Sequence, residues 1–242
     1  MQPFNAGAVL SRSFSIWLKN LVPFTILTFL VYSPLILYTA VLLGGDLTLK
    51  QIETWDRVES LLGGVLNLVA TAALTYGTFQ QLRGRHAGIG ESIGVGLKRL
   101  FPVLGVGILA GLCIIGGAIL LIVPGIILAC MLWVAVPVAV VEQPGVGASL
   151  KRSAELTKGS RWQVFGVILV LGVINWLIGY LLYSAFIKDA TSIADVKTFM
   201  IVALLISIML GALQAVASAV GYYDLRQSKE GVGIEELAKV FE

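Results

Sequence analysis

Long stretches without a single charged residue constrain this chain more than any other feature. Five of them run over 21–45, 60–82, 100–141, 162–187 and 198–223. A bilayer core takes about 20 apolar residues per helix. Four stretches therefore suit one span each. The stretch over 100–141 is 42 residues long and fits two, with Pro124-Gly125 as the expected turn. The expectation is an all-α, polytopic membrane protein with six transmembrane helices.

Energy and composition agree. Positions 21–43 hold fourteen Leu, Ile, Val or Phe residues. At roughly 0.3 to 0.6 kcal/mol each, they favour insertion by about 5 kcal/mol, and one central Arg would offset about 3 of those. Only 13% of the 242 residues are charged, against about a quarter in soluble domains. The start, MQPFNAGAVLSRSF, lacks the basic and short apolar regions of a cleaved signal, so the first span is expected to persist. Cys113 and Cys130 fall within spans three and four, where thiols serve as small buried hydrophobes.

Basic residues gather on the cytoplasmic side of membrane proteins. With six spans, the N-terminal segment, the second and fourth loops and the tail share one side. They carry thirteen Lys and Arg, and the other side carries four. Both termini are thus expected in the cytoplasm. Arg12, Lys19, Arg83, Arg152 and Arg226 are candidate contacts for anionic lipid headgroups.

The segments on the basic side resemble one another. Asn5-Ala-Gly-Ala-Val-Leu10, Gly88-Ile-Gly-Glu-Ser-Ile93 and Gly145-Val-Gly-Ala-Ser-Leu150 line up, and Gly231-Val-Gly-Ile-Glu-Glu-Leu237 is a looser version. Leu82-Arg83 precedes Gly88 as Leu225-Arg226 precedes Gly231. Each glycine is expected to turn the chain before a short amphipathic helix in the headgroup plane. Leu10, Phe14, Trp17 and Leu21 form one such apolar face, Ile93 and Leu97 a shorter one, and Ile234, Leu237, Ala238 and Phe241 another in the tail. The chain thus reads as one membrane domain, 1–242. Its three parallel two-helix repeats span about 4–82, 88–141 and 145–223, followed by an amphipathic tail, 224–242. A pseudo-threefold arrangement is expected.

Small residues draw helices together in lipid. Gly107 and Gly111 form a GxxxG, and Gly211, Ala215 and Ala219 form a small-residue face. Pro34 and Pro137 are expected to kink their spans. The few polar positions within spans are Asn67, Thr71, Thr75, Thr78, Asn175, Gln214 and Ser218. They either line a polar cavity or bond between helices. Asn67, Thr71, Thr75, Asn175, Gln214 and Ser218 are the candidate lining.

Catalytic patterns are missing. His86 is the only histidine and sits on a basic loop. No HExxH or paired-carboxylate motif occurs, and Gly88 and Gly90 lack a following GK[ST]. The uncharged stretches contain no acidic relay group. No enzyme activity, cofactor, metal or nucleic acid is expected. The expected partners are membrane lipids, a membrane-protein partner or further copies of the chain. A non-catalytic role in organising lipids or proteins is the leading expectation, with passive transport of a small or amphiphilic solute as the alternative.

The run from Val123-Pro-Gly through Pro137-Val-Ala-Val-Val-Glu-Gln-Pro-Gly to Trp162 resembles the membrane domain of some glycerophosphodiester phosphodiesterases. It is also similar to small bacterial inner-membrane proteins of the YciC kind. The tail Tyr222-Tyr-Asp-Leu-Arg onward fits the same pattern. The resemblance covers nearly the whole chain and implies a bacterial inner-membrane protein. The phosphodiesterase's soluble catalytic domain has no counterpart here, so its activity is not implied.

Overall fold

The computed structural model describes residues 4–45, 47–85, 87–188 and 192–231. His86 and the tail positions Ile234, Leu237, Ala238 and Phe241 lie outside these. Among the described residues the chain is helical throughout, with no strands. Six helices are long and apolar enough to cross a membrane. That makes the chain a multi-pass membrane protein by length and composition.

The first two crossings are α2 (Leu21–Leu43) and a continuous run of α3 (Leu49–Val58), a π-helical turn at Glu59–Gly63, and α4 (Gly64–Leu82). The short α1 (Ala6–Lys19) precedes them. Next come the short α5 (Ile89–Lys98), the crossing α6 (Leu100–Leu120), and a crossing made of α7 (Ile122–Leu132) and α8 (Ala135–Val141). The short α9 (Val146–Thr157) leads into the last two crossings, α10 (Arg161–Phe186) and α11 (Ile193–Glu230).

The core lies among the second crossings. α4 packs on both α11 and α8, and α8 touches α11. The Val69–Phe79 side chains of α4 other than Thr71, the α8 valines other than Val136 and the 212–222 stretch of α11 other than Gln214 are buried. Each first crossing sits outside, in the groove between two inner ones. α2 touches α4 and α11, α6 touches α7, α8 and α4, and α10 touches α11 and α7. The short helices are wedged against inner crossings: α5 along α4, α9 along α7 and α8, and α1 along α11.

Close approach explains several glycines. A Cβ at Gly221 would enter the ring of Trp133, and one at Gly107 would enter the side chain of Leu68. The second glycine of the GxxxG pair, Gly111, faces open space. The turn between α6 and α7 falls at Leu121, not at Pro124-Gly125. Pro124 sits in the first turn of α7, where a missing N–H leaves no bond unmade. Gly125 lets the hairpin close, since a Cβ there would lie 2.9 Å from the backbone of Ala118.

The two span prolines behave differently. α2 runs unbroken through Pro34, and the hydroxyl of Ser33 donates to the Leu30 carbonyl (2.8 Å) that Pro34 cannot serve. Pro137 instead accompanies a break at Trp133 and Val134. The Met131 carbonyl beside that break accepts from Ser153 Oγ (2.8 Å) and Thr157 Oγ1 (3.3 Å) of α9. Lipid offers no donor to a freed carbonyl, so protein hydroxyls must.

The expectation that both thiols are buried needs correction. Cys130 is buried, but Cys113 is exposed on the outer face of α6. α1 buries Val9 and Ser13, and Leu10, Phe14 and Trp17 flank them against the core. Gly231 caps the end of α11 at φ +66°, so α11 continues past Tyr223 to Glu230. At about 1.5 Å per residue its 38 residues span about 57 Å, well beyond a hydrocarbon core of about 30 Å.

Candidate functional site

Polar residues form two clusters along α11, one open and one closed. The open cluster is a recess of about 260 Å³. α11 supplies Ser207, Gly211 and Gln214, which recur at helical spacing on one face. Asn67 comes from α4, Asn175 from α10 and Tyr32 from α2. The π turn adds Glu59, Ser60 and Gly63. Gly211 makes room for Asn67: a Cβ there would lie 3.2 Å from Asn67 Nδ2. The Tyr32 hydroxyl reaches the Gly63 carbonyl at 3.5 Å.

Half of the expected lining is therefore brought together: Asn67, Asn175 and Gln214. Thr71, Thr75 and Ser218 are not among the recess residues. Thr75 is fully buried and donates to the Thr71 carbonyl at 2.7 Å. Ser218 donates to the Ala215 carbonyl at 3.0 Å. Each hydroxyl is satisfied by its own helix.

The sequence reading missed Tyr32, Glu59 and Ser207. Glu59 lies on the same continuous helix as Asn67, with Gly63 between them at i+4 steps. Extending the helical face of Asn67 upstream was the available signal. Asn175 and Gln214 remain exposed to the recess. Polar groups at membrane depth need hydrogen-bonding company, so the recess can accept water or a polar solute.

The closed cluster lies farther along α11. Glu142, just after α8, is its hub. Tyr222 Oη donates to Glu142 Oε1 at 2.9 Å. Arg152 Nε of α9 donates to Glu142 Oε2 at 2.9 Å, and Arg226 lies 3.3 Å from Oε1. Glu230 closes the loop, accepting from Arg226 Nε at 2.6 Å and pairing with Arg152. Burial alone would favour neutral Arg152, but the hydrogen bonds and charges of Glu142 and Glu230 outweigh it and raise its pKa. Phe79 of α4 meets the Tyr222 ring edge-on, with centroids 5.9 Å apart. This ties α4, α8, α9 and α11 together.

These bonds bear on the five candidate headgroup contacts. Arg152 and Arg226 are engaged with Glu142 and Glu230. Arg12 pairs with Asp224 at 2.6 Å and lies over the Tyr223 ring. Arg83 is half-buried at the end of α4, and Lys19 is exposed. Among the described residues, no group of three His, Cys, Asp or Glu side chains is placed to hold a metal ion.

Comparison with protein-family models, curated proteins and solved structures returned no match.

Proposed function

We propose that this chain is a non-catalytic integral protein of the bacterial inner membrane that organises lipids or partner proteins. Both termini face the cytoplasm, following the excess of basic residues on that side. The observation that carries the reading is the outward apolar surface of the first crossings. Leu112, Ile115 and Ile119 of α6 and Val173, Trp176 and Leu181 of α10 are all exposed. These helices present surface for lipid or another helix.

The framework is three parallel repeats about a pseudo-threefold axis. In its favour, the fourth and eighth positions after each N-cap are buried alike: Val9 and Ser13, Ser92 and Gly96, Ser149 and Ser153. Each short helix also packs on the second crossing of the neighbouring unit, cyclically. α1, α5 and α9 then act as interfacial wedges. The resemblance of 123–162 and 222–241 to bacterial inner-membrane families points the same way. Isolation in mild detergent with mass spectrometry of co-purified lipid and protein tests the role. A monomer free of both lipid and partner counts against it.

A second reading is favoured by the polar recess alone: passive passage of a small or amphiphilic solute. Flux of a panel of small polar solutes into proteoliposomes tests it. We expect Asn67→Leu with Gln214→Leu to lower flux, and unchanged flux argues against this reading.

A further inference from the structure

We propose that the groove between α7 and α10 binds one anionic phospholipid, with its phosphate on Arg161 and an acyl chain along the groove. The assignment rests on the lipid-organising reading and narrows it to a site and a lipid class. Two hollows of about 420 and 310 Å³ make up the groove. They share Ile126, Cys130 and Phe165, so they are continuous. Their walls are almost wholly apolar. Arg161 and Trp162 belong to one hollow, and Trp176 belongs to the other.

The dimensions suit a lipid chain. From Arg161 to Trp176 along α10 is about 22 Å at about 1.5 Å per residue. One leaflet of hydrocarbon is about 15 Å deep. The groove thus runs from headgroup level through a whole leaflet. Trp162, 83% exposed beside Arg161, is the kind of side chain that settles at the membrane–water boundary.

Charge selects the headgroup. Arg161 Nε is buried and has no hydrogen-bond partner. Arg161 also joins no ion pair with a described residue, unlike Arg12, Arg152 and Arg226. Lys229 lies within electrostatic reach of Arg161 and Lys158. Its ammonium is held by the carbonyls of Glu155 and Lys158, both at 2.6 Å, which anchors a further positive charge nearby. A guanidinium offers a fork of donors that matches phosphate oxygens. An unpaired guanidinium at the mouth of an apolar groove therefore calls for an anion carrying a hydrocarbon tail.

The test uses the full chain in nanodiscs of equimolar dioleoylphosphatidylglycerol and dioleoylphosphatidylcholine, released and weighed by native mass spectrometry. The wild type should retain one phosphatidylglycerol in preference to phosphatidylcholine. Arg161→Gln should lower that retention about fivefold, the effect of one cation at a membrane surface. Gly172→Leu should displace the lipid by filling the groove, since a Cβ at Gly172 meets nothing within 4 Å. Size-exclusion profiles check folding, and the two variants act at separate places, so either one decides. Equal retention by wild type and a folded variant overturns the site, as does a wild type without preference for the anionic lipid. A delipidated dimer that Gly172→Leu abolishes overturns it too, by assigning the groove to a second copy. A wild type that retains no phospholipid at all removes the broader lipid-organising reading as well.

Discussion

Two stretches of α11 use the same kinds of side chain to opposite ends. Around Tyr222, Arg226 and Glu230, the phenol and both ionic groups have partners within the protein. Around Gln214, about 12 Å from Tyr222 at about 1.5 Å per residue, the amides of Gln214, Asn67 and Asn175 face a hollow. A saturated network holds helices in one arrangement, because breaking any bond leaves a charge without compensation. An open one keeps capacity to bind, because an amide exposed in a hollow still has donors and acceptors to offer. The first stretch thus reads as a clasp and the second as the place where something polar is accommodated.

The sharpest way to break this contrast is at the clasp's packed side. Gly221→Val would push into Trp133, and overpacking of that kind costs about 3 kcal/mol. We expect thermal unfolding in detergent to show a large loss, or no folded protein. Glu142→Gln should follow. It removes one of the two carboxylates that Arg152 and Arg226 share, leaving Glu230 alone against both, at a cost of about 2 kcal/mol. The same assay on Glu53→Gln, exposed on α3, gives the baseline for a charge whose loss matters little.

The recess should answer in the reverse direction. Asn67→Leu with Gln214→Leu removes polar groups from the hollow, and we expect stability to hold or rise by about 1 kcal/mol. A destabilisation as large as that of Glu142→Gln would erase the distinction between the two stretches. Accessibility sharpens it further. In a background lacking Cys113 and Cys130, a water-soluble maleimide should label Ser207→Cys and Gln214→Cys but spare Ser218→Cys, which is 7% exposed. The smallest expected effect is that of Thr75→Val, about 0.5 kcal/mol, because its hydroxyl bonds only to the Thr71 carbonyl of its own helix.

The crossings were legible because hydrocarbon acts on each residue separately. Leu112 or Val173 contributes to insertion whatever its neighbours are, so a run of such residues announces a span. Helix breaks were less legible. Pro34 and Pro137 look alike in sequence, yet Ser33 repairs one helix internally, while α9 must cross over to serve the carbonyl at the other. The candidate lining divided for a similar reason. Asn67 and Thr75 lie two turns apart on one helix, but only Asn67 is among the recess residues.

By itself, then, the sequence determined that the chain is helical and crosses a membrane six times by length and composition. It also singled out Asn67, Asn175 and Gln214, since an amide within an apolar run is conspicuous wherever it points. Only the tertiary structure decided which polar groups are already partnered. Arg152, Arg161 and Arg226 are equivalent as letters. Glu142 and Glu230 occupy two of them, and Arg161 is left facing the groove. Partnership depends on the rotation of each helix and on what packs beside it. Those are properties of pairs of helices, and a pattern along one chain does not contain them.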